Sequence, residues 1–188
     1  PDSDVVLSIT SSDTGEATVT STLTFTSANW DTAQTVTVTG ADDDLVDGTV
    51  SSTITVSVDD ANSDDDFDGV ADQTVSVSTT DDDVAGFTIT ETEGSTTVTE
   101  AGSTDTFDVV LNAQPDSNVV LTISSSDTGE STVHGSTPSN NTITFTSANW
   151  DTPQAFTVTG VDDDLVDGTV SSTVTVSVVD AVSDNNFD

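Results

Sequence analysis

The stretch Thr24–Val58, TFTSANWDTAQTVTVTGADDDLVDGTVSSTITVSV, returns in the second half of the chain as Thr144–Val178. Only five of its 35 positions differ between the two copies, which leaves 30 identical. A shorter repeat matches Asp4–Glu16 to Asn118–Glu130. The two matches are offset by 114 and 120 residues, and a period this long corresponds to a whole domain rather than to one turn of a solenoid. We therefore expect two tandem modules, residues 1–83 without their first strands and residues 84–188 without their last strand.

Apolar residues alternate with serine and threonine along both copies, as in Ile54-Thr55-Val56 and Val174-Thr175-Val176. This period of two, carried by β-branched residues, is typical of strands with one buried face. No segment shows the 3.6-residue period of a helix. Short strands separated by Gly, Asn and Asp predict an all-β fold, with each module an immunoglobulin-like antiparallel β-sandwich. The second copy carries an insertion around residues 134–140, which we expect to be a loop tip that includes His134.

The composition excludes several classes of function. The 188 residues include 35 acids and neither Lys nor Arg, so the formal charge is −35. Nucleic acids and anionic membrane surfaces would repel such a chain, and its apolar runs are too short to span a bilayer. High charge can indicate disorder, but the 32% of apolar residues alternate regularly, which favours a folded polyanion. Cysteine is absent, so no disulfide stabilises the fold. The opening residues Pro1-Asp2-Ser3 match Pro115-Asp116-Ser117, which lie inside the second module, so we expect a piece of a longer protein.

A cassette of acids, DDDLVDG, lies at the centre of both long repeats, at residues 42–48 and 162–168. It follows a strand end, and a turn permitted by Gly168 would let Asp162, Asp163 and Asp167 converge. No positive side chain can neutralise these carboxylates, and calcium prefers six to eight hard oxygen ligands. The cassette therefore predicts a calcium site, with a solvated acidic loop as the alternative.

Two further acidic segments are candidate calcium ligands. Asp64, Asp66, Asp68 and Asp72, with Gly69 at position six, follow the first part of an EF-hand loop, although Val75 replaces its closing Glu. The alternative there is a flexible acidic loop. Asp81, Asp82 and Asp83 close the first module, where a metal ion could fix the angle between neighbours. The alternative is a solvated linker.

These motifs resemble the Calx-β family, whose immunoglobulin-like domains occur in sodium–calcium exchangers and in large bacterial surface proteins. The resemblance rests on Val98-Thr99-Glu100-Ala101-Gly102, on the strand-end aspartates of the cassette, and on the closing Thr79-Thr80-Asp81-Asp82-Asp83. It implies that acids gather at one tip of each module to bind calcium. The implied ligands are Glu100, Asp127, Asp162, Asp163 and Asp167 in the second module, and Asp13, Asp42, Asp43, Asp47, Asp81, Asp82 and Asp83 in the first.

Catalysis is poorly supported by the residue types present. The chain has no Cys, Lys, Arg or Tyr and only one His, so a nucleophile with its base cannot occur in each repeat. Trp30 and Trp150 precede a strand in each copy, where a tryptophan either seals the end of the core or stacks on sugar rings. We do not expect an enzyme.

We expect a calcium-stabilised structural repeat of an extracellular, secreted or cell-surface bacterial protein, whose partners are adjacent copies of the same module. Calcium is millimolar outside cells, where weak sites are filled. A covalent spacer or stalk is one form of this hypothesis. The alternatives are a fibre or sheath subunit completed by strands from neighbouring molecules, and an adhesion module that binds surface glycans.

Overall fold

The computed structural model describes residues 1–135 and 140–188, which divide into two compact units. Unit 1 contains residues 1–43 and 47–82, and unit 2 contains residues 44–46 and 83–188. The described residues contain antiparallel strands and no α-helix, so the prediction of an all-β fold is confirmed. Their only helical segments are single 3-10 turns, at Asp60–Asn62, Asp65–Phe67, Thr92–Gly94, Asp180–Val182 and Asn185–Phe187.

Unit 1 is built from one four-stranded sheet and one two-stranded sheet. The large sheet has the order β3-β1-β5-β6, and β2 pairs with β4 in the small one. The long strand β5 runs antiparallel to β1 on one side and to β6 on the other, with Ile9 opposite Val56 and Ile54 opposite Val75. The strands are β1 (Val5–Ser11), β2 (Ala17–Val19), β3 (Thr22–Phe25), β4 (Val38–Gly40), β5 (Thr49–Val58) and β6 (Gln73–Thr80).

Unit 2 is built from two antiparallel sheets, with the strand orders β10-β12-β8-β7 and β11-β9-β13. Phe107 of β8 and Phe156 of β12 contact each other within the first sheet, with ring centroids 5.6 Å apart. The strands are β7 (Phe87–Glu91), β8 (Thr104–Leu111), β9 (Val119–Ser125), β10 (Ser131–His134), β11 (Thr142–Phe145), β12 (Gln154–Gly160) and β13 (Val174–Val178).

Inward-facing residues of both sheets form one apolar core in unit 2. The alternation seen in the sequence explains this arrangement, because every second residue of a strand points to the same face. Leu121, Phe145 and Phe156 have no exposed surface, and Val109 and Val119 are equally buried. In unit 1 the buried apolar residues are Val5, Ile9, Ala17 and Ile54. Unit 1 thus gains less hydrophobic stabilisation than unit 2.

Identical sequences form strands of different length in the two units. The pentapeptide TVSST forms the first half of β5 at residues 49–53, where it pairs with β6. At residues 169–173 the same pentapeptide is not a strand, and β13 begins only at Val174. In the described part of unit 2, β13 is an edge strand with β9 as its neighbour. The presence of a pairing partner therefore decides whether this sequence is extended into the sheet.

The inserted loop differs in part from its prediction. His134 was expected in the loop, but it ends β10 opposite Thr157, because the hydrogen bonds of β10 to β12 continue to this residue. The rest of the predicted loop tip falls mainly on residues 136–139, which lie outside the described residues. Among the residues that the structure describes, no helix is both long enough and apolar enough to cross a membrane.

Candidate metal centre

The acidic cassette follows the equivalent strand in each unit, β4 in unit 1 and β12 in unit 2. A second acid is brought beside it by strand pairing, because Ala17 of β2 lies opposite Gly40 of β4 and Ser131 of β10 lies opposite Gly160 of β12. The residue directly before Ala17 is Glu16, and the residue directly before Ser131 is Glu130. The backbone carbonyl of each glutamate accepts a hydrogen bond from the first residue of the loop, Ala41 N to Glu16 O at 2.8 Å and Val161 N to Glu130 O at 2.9 Å.

Three carboxylates meet at each of these loops. In unit 1 they belong to Glu16, Asp43 and Asp47, and one oxygen from each lies within 4.8 Å of the other two. In unit 2 the same arrangement, within the same distance, is formed by Glu130, Asp163 and Asp167. We call these groups cluster 1 and cluster 2. Within the part of the chain that the structure describes, these are the groups of carboxylates that could share one metal ion.

The glutamate of each cluster has a raised pKa. Burial raises the pKa of Glu16, and the charges of Asp47, Asp43 and Asp13, with a hydrogen bond to Asp47, raise it further. Burial also raises the pKa of Glu130, followed by the charges of Asp167, Asp163, Asp127 and Glu100. Each cluster therefore holds negative charges that repel one another more in the folded state than in the unfolded chain.

Backbone hydrogen bonds hold the cassette of unit 1 in its turn. The Asp81 carboxylate accepts from the amides of Asp47 at 3.1 Å and Gly48 at 2.8 Å. Gly48 has φ 76°, which is unfavourable for residues with a side chain. Asp81 thus supports cluster 1 by fixing the backbone of the loop.

The cassette of unit 2 forms a turn of the same kind. Gly168 has φ 79°, close to the value of its counterpart. The Asp163 carboxylate accepts from the amide of Leu165 at 2.7 Å. One oxygen of Asp163 therefore caps its own loop, as short acidic side chains commonly do.

The predicted aspartates of the mid-module loop also make local turns. The Asp13 carboxylate accepts from Gly15 N, and the Asp127 carboxylate accepts from Gly129 N, each at 3.0 Å. Each of these loops ends at the cluster glutamate, so Asp13 and Asp127 shape the loop that presents it. Their charges lie close enough to raise the pKa of that glutamate.

The donor set of each cluster fits a hard divalent cation. Calcium binds oxygen at about 2.3–2.6 Å, so two oxygens on opposite sides of one ion lie about 4.6–5.2 Å apart. A separation of at most 4.8 Å therefore allows all three carboxylates to contact the same ion. The remaining positions of a six- to eight-fold shell would be filled by backbone carbonyls and water. Magnesium fits less well, because it keeps most of its water and requires near-ideal octahedral geometry.

Asp64, the first residue of the EF-hand-like segment, is a buried hydrogen-bond acceptor. It is 8% exposed, and it accepts from the amides of Asp2 at 2.7 Å, Ser3 at 3.1 Å and Asp66 at 3.1 Å. The bonds from Ser3, Asp66 and Asp2 lower its pKa, in that order of size. Its carboxylate is thus directed at backbone amides, which is the role of an N-cap residue.

The counterpart of Asp64 in unit 2 is Asp184, which is 5% exposed. It accepts from Ser117 N at 2.7 Å and Asn186 N at 3.0 Å. Burial raises its pKa, but the hydrogen bonds from backbone amides and from the Ser117 hydroxyl together outweigh burial, and the net shift of the pKa is downward. The same buried acceptor is therefore present in both units.

Four of the sixteen predicted ligands lie in the two clusters, namely Asp43, Asp47, Asp163 and Asp167. The other twelve lie outside both: Asp13, Asp42, Asp64, Asp66, Asp68, Asp72, Asp81, Asp82, Asp83, Glu100, Asp127 and Asp162. Sequence reasoning missed Glu16 and Glu130. A signal was present, because each is the last residue of the shorter repeat, directly before a strand.

The two tryptophans have different environments. Trp30 is 61% exposed, whereas Trp150 packs against the apolar core of unit 2. Trp150 agrees with a residue that seals the core, and Trp30 does not. Comparison with known proteins finds no matching family model, no matching curated protein and no matching solved structure.

Proposed function

We propose that this chain is a calcium-stabilised structural repeat of an extracellular surface protein or filament, built from Calx-β-like, immunoglobulin-type sandwiches. The observation that carries the proposal is the recurrence of one three-carboxylate cluster at the equivalent strand end of both units. The two loops share one sequence, and in both the three carboxylates lie within 4.8 Å of one another and the pKa of the glutamate is raised, which supports a ligand of the same kind at each. A divalent cation is the ligand that this chemistry favours.

The role of the cation is to offset repulsion and to join strand ends. Each cluster connects the loop before β2 or β10 to the loop after β4 or β12, so an ion bound there ties together segments that are far apart in sequence. An ion that binds only the folded state stabilises it by mass action, by about 1.4 kcal/mol at ten times Kd. Such stabilisation matters for unit 1 above all, because its buried apolar core is small.

Weak sites of this kind suit an extracellular setting. Calcium-binding modules outside cells commonly have Kd values of about 10⁻⁴–10⁻³ M. The chain itself carries 35 acids and neither Lys nor Arg, so it has no permanently positive side chain that could neutralise the clusters. The concentration of calcium would then control whether an array of such modules is stiff or soft.

Nuclear magnetic resonance can test the proposal at each cluster separately. In a calcium titration, the amide signals of Gly48 and Gly168 should shift and saturate, each reporting its own loop. Glu16→Gln should abolish the response of Gly48, and Glu130→Gln that of Gly168, while Asp151→Asn serves as a control at an exposed carboxylate outside the clusters. A response that survives both glutamine substitutions, or equal saturation by magnesium, would contradict a calcium site at these positions.

A further inference from the structure

The motif Asn140-Asn141-Thr142 is the single place in the chain where serine or threonine stands two residues after an asparagine. This spacing, with no proline between the two, is the acceptor pattern for asparagine-linked glycosylation. The motif lies at the end of the insertion that distinguishes the second copy, and the first copy has Thr20-Ser21-Thr22 in its place. Because so short a pattern also occurs by chance, the surroundings of Asn140 decide whether it is usable.

The side chain of Asn140 is exposed, and its oxygen is bonded within the motif. Oδ1 accepts from the backbone amide of Thr142 at 3.2 Å and from the Thr142 hydroxyl at 2.7 Å. A backbone amide can only donate, so the bonded atom is the oxygen, and the nitrogen Nδ2 is the branch outside this turn. No hydrogen bond joins Nδ2 to any residue that the structure describes. The atom that glycosylation would modify therefore faces solvent.

Backbone hydrogen bonds hold the motif at the surface of unit 2. Asn140 O accepts from Gly135 N at 2.6 Å, and Asn141 O accepts from Ile123 N of β9 at 2.9 Å. Thr142 is the first residue of β11, so the acceptor asparagine lies just outside the sheet. A large polar group on its side chain would extend into water without displacing a packed residue, which is the usual setting of a glycan.

The motif also lies in the least acidic part of the sequence. Residues 131–150 contain neither Asp nor Glu, and this is the longest such stretch in a chain of 35 acids. Strand β10 leads away from cluster 2, because its first residue follows Glu130 and its last residue is His134. Activated glycosyl donors carry a diphosphate, which the acidic parts of this chain would repel. The insertion therefore offers a neutral approach to an anionic donor.

We propose that Asn140 carries an asparagine-linked glycan, which a transferase attaches from a glycosyl diphosphate donor. In this reaction Nδ2 forms a bond to the anomeric carbon of the sugar while the bond from that carbon to the diphosphate breaks. The diphosphate leaves, and one proton of Nδ2 passes to a base of the transferase. A lipid-linked oligosaccharide and a sugar nucleotide both supply this activated chemistry. The modification goes beyond the proposed calcium function and needs no bound cation.

Mass spectrometry of the chain isolated from its own source tests the proposal. An endoproteinase that cleaves before aspartate releases residues 127–150 as one peptide, because no other aspartate lies between Asp127 and Asp151. This peptide should carry the mass of a sugar, and electron-transfer fragmentation should place the sugar on Asn140. A preassembled oligosaccharide would indicate the lipid-linked donor, and a single hexose would indicate the sugar nucleotide. An unmodified peptide would overturn the proposal.

Variants made in the same source separate the acceptor from its neighbours. Asn140→Gln and Thr142→Val should each abolish the modification. Asn141→Gln is the matched control, because it makes the same chemical change one residue later and leaves the acceptor pattern intact, so it should be modified like the parent. The Gly168 amide of Asn140→Gln should still respond to calcium, which keeps this test separate from that of the clusters. A sugar that persists in Asn140→Gln, or that is lost from Asn141→Gln, would contradict the assignment.

Discussion

Calcium should raise the melting temperature of both units, and by a similar amount, because each contains one carboxylate cluster. At ten times Kd one site contributes about 1.4 kcal/mol. A domain of about 60–100 residues shifts its Tm by about 4–8 °C per kcal/mol. The expected rise is therefore roughly 6–11 °C for each unit. Magnesium at the same concentration should give a clearly smaller rise.

The two tryptophans allow the units to be followed separately. Trp30→Phe leaves Trp150 as the reporter of unit 2, and Trp150→Phe leaves Trp30 as the reporter of unit 1. Fluorescence-detected melting of each variant, with and without calcium, then gives the shift of one unit at a time. Trp150 packs against the core, so its emission should respond strongly to unfolding.

The glutamine variants test the clusters directly, because their effect on the Tm should change sign when calcium is added. Without calcium, Glu130→Gln removes a repulsive charge and should raise the Tm of unit 2. With calcium, the same variant loses a ligand and should melt below the parent. If the Tm of the parent is unchanged at 10 mM calcium, or if Glu130→Gln behaves alike in both conditions, the reasoning about the clusters is wrong.

Three further predictions concern pH and single substitutions. In EDTA the Tm should rise as the pH is lowered from 7 towards 5, because the cluster glutamates have raised pKa values and the folded state binds their protons more tightly. Below about pH 4 the Tm should fall, because acids such as Asp184, whose pKa is lowered in the folded state, then become protonated. Circular dichroism melts across this pH range check the sign of both changes. Gly160→Ala should destabilise unit 2 by about 1–3 kcal/mol in urea unfolding, since a Cβ there would clash with the backbone oxygen of Thr99, whereas Gly40→Ala, whose nearest contact would be 3.9 Å, should be tolerated; equal effects would contradict this. Asp184→Ala should lower the Tm of unit 2 by roughly 5–10 °C, whereas Ser117→Ala should cost little, because Asp184 accepts mainly from backbone amides.

The all-β fold was predictable because the period of two in apolar residues is a local property of each strand. Strand length was not, because it depends on the neighbour in the sheet. Val36 and Val38 alternate like Phe156 and Val158, yet β12 spans seven residues beside β8 and β4 spans three. A similar local preference thus gives strands of different length when only one copy has a second pairing partner.

The candidate site was predictable in part for a similar reason. The cassette aspartates are close in sequence, so a turn brings Asp43 near Asp47 and Asp163 near Asp167, whereas Asp162 lies outside cluster 2. Glu16 is far from Asp43 in sequence and reaches it only through the pairing of β2 with β4. The register in which β2 pairs with β4, and which brings Glu16 near Asp43, could not be predicted from the residues around Glu16 alone.

The buried aspartates that accept from backbone amides have a consequence for how the sequence can change. Every residue except proline offers the same amide, so the donor positions are free to vary while the acceptor is not. The two copies show one such case: Asp66 in the first is Asn186 in the second, yet the amide at this position donates to the preceding aspartate in both, at 3.1 Å and 3.0 Å. Asp64 and Asp184 themselves are identical. A substitution at one acceptor would remove several bonds at once, so drift between repeats should concentrate on the donors.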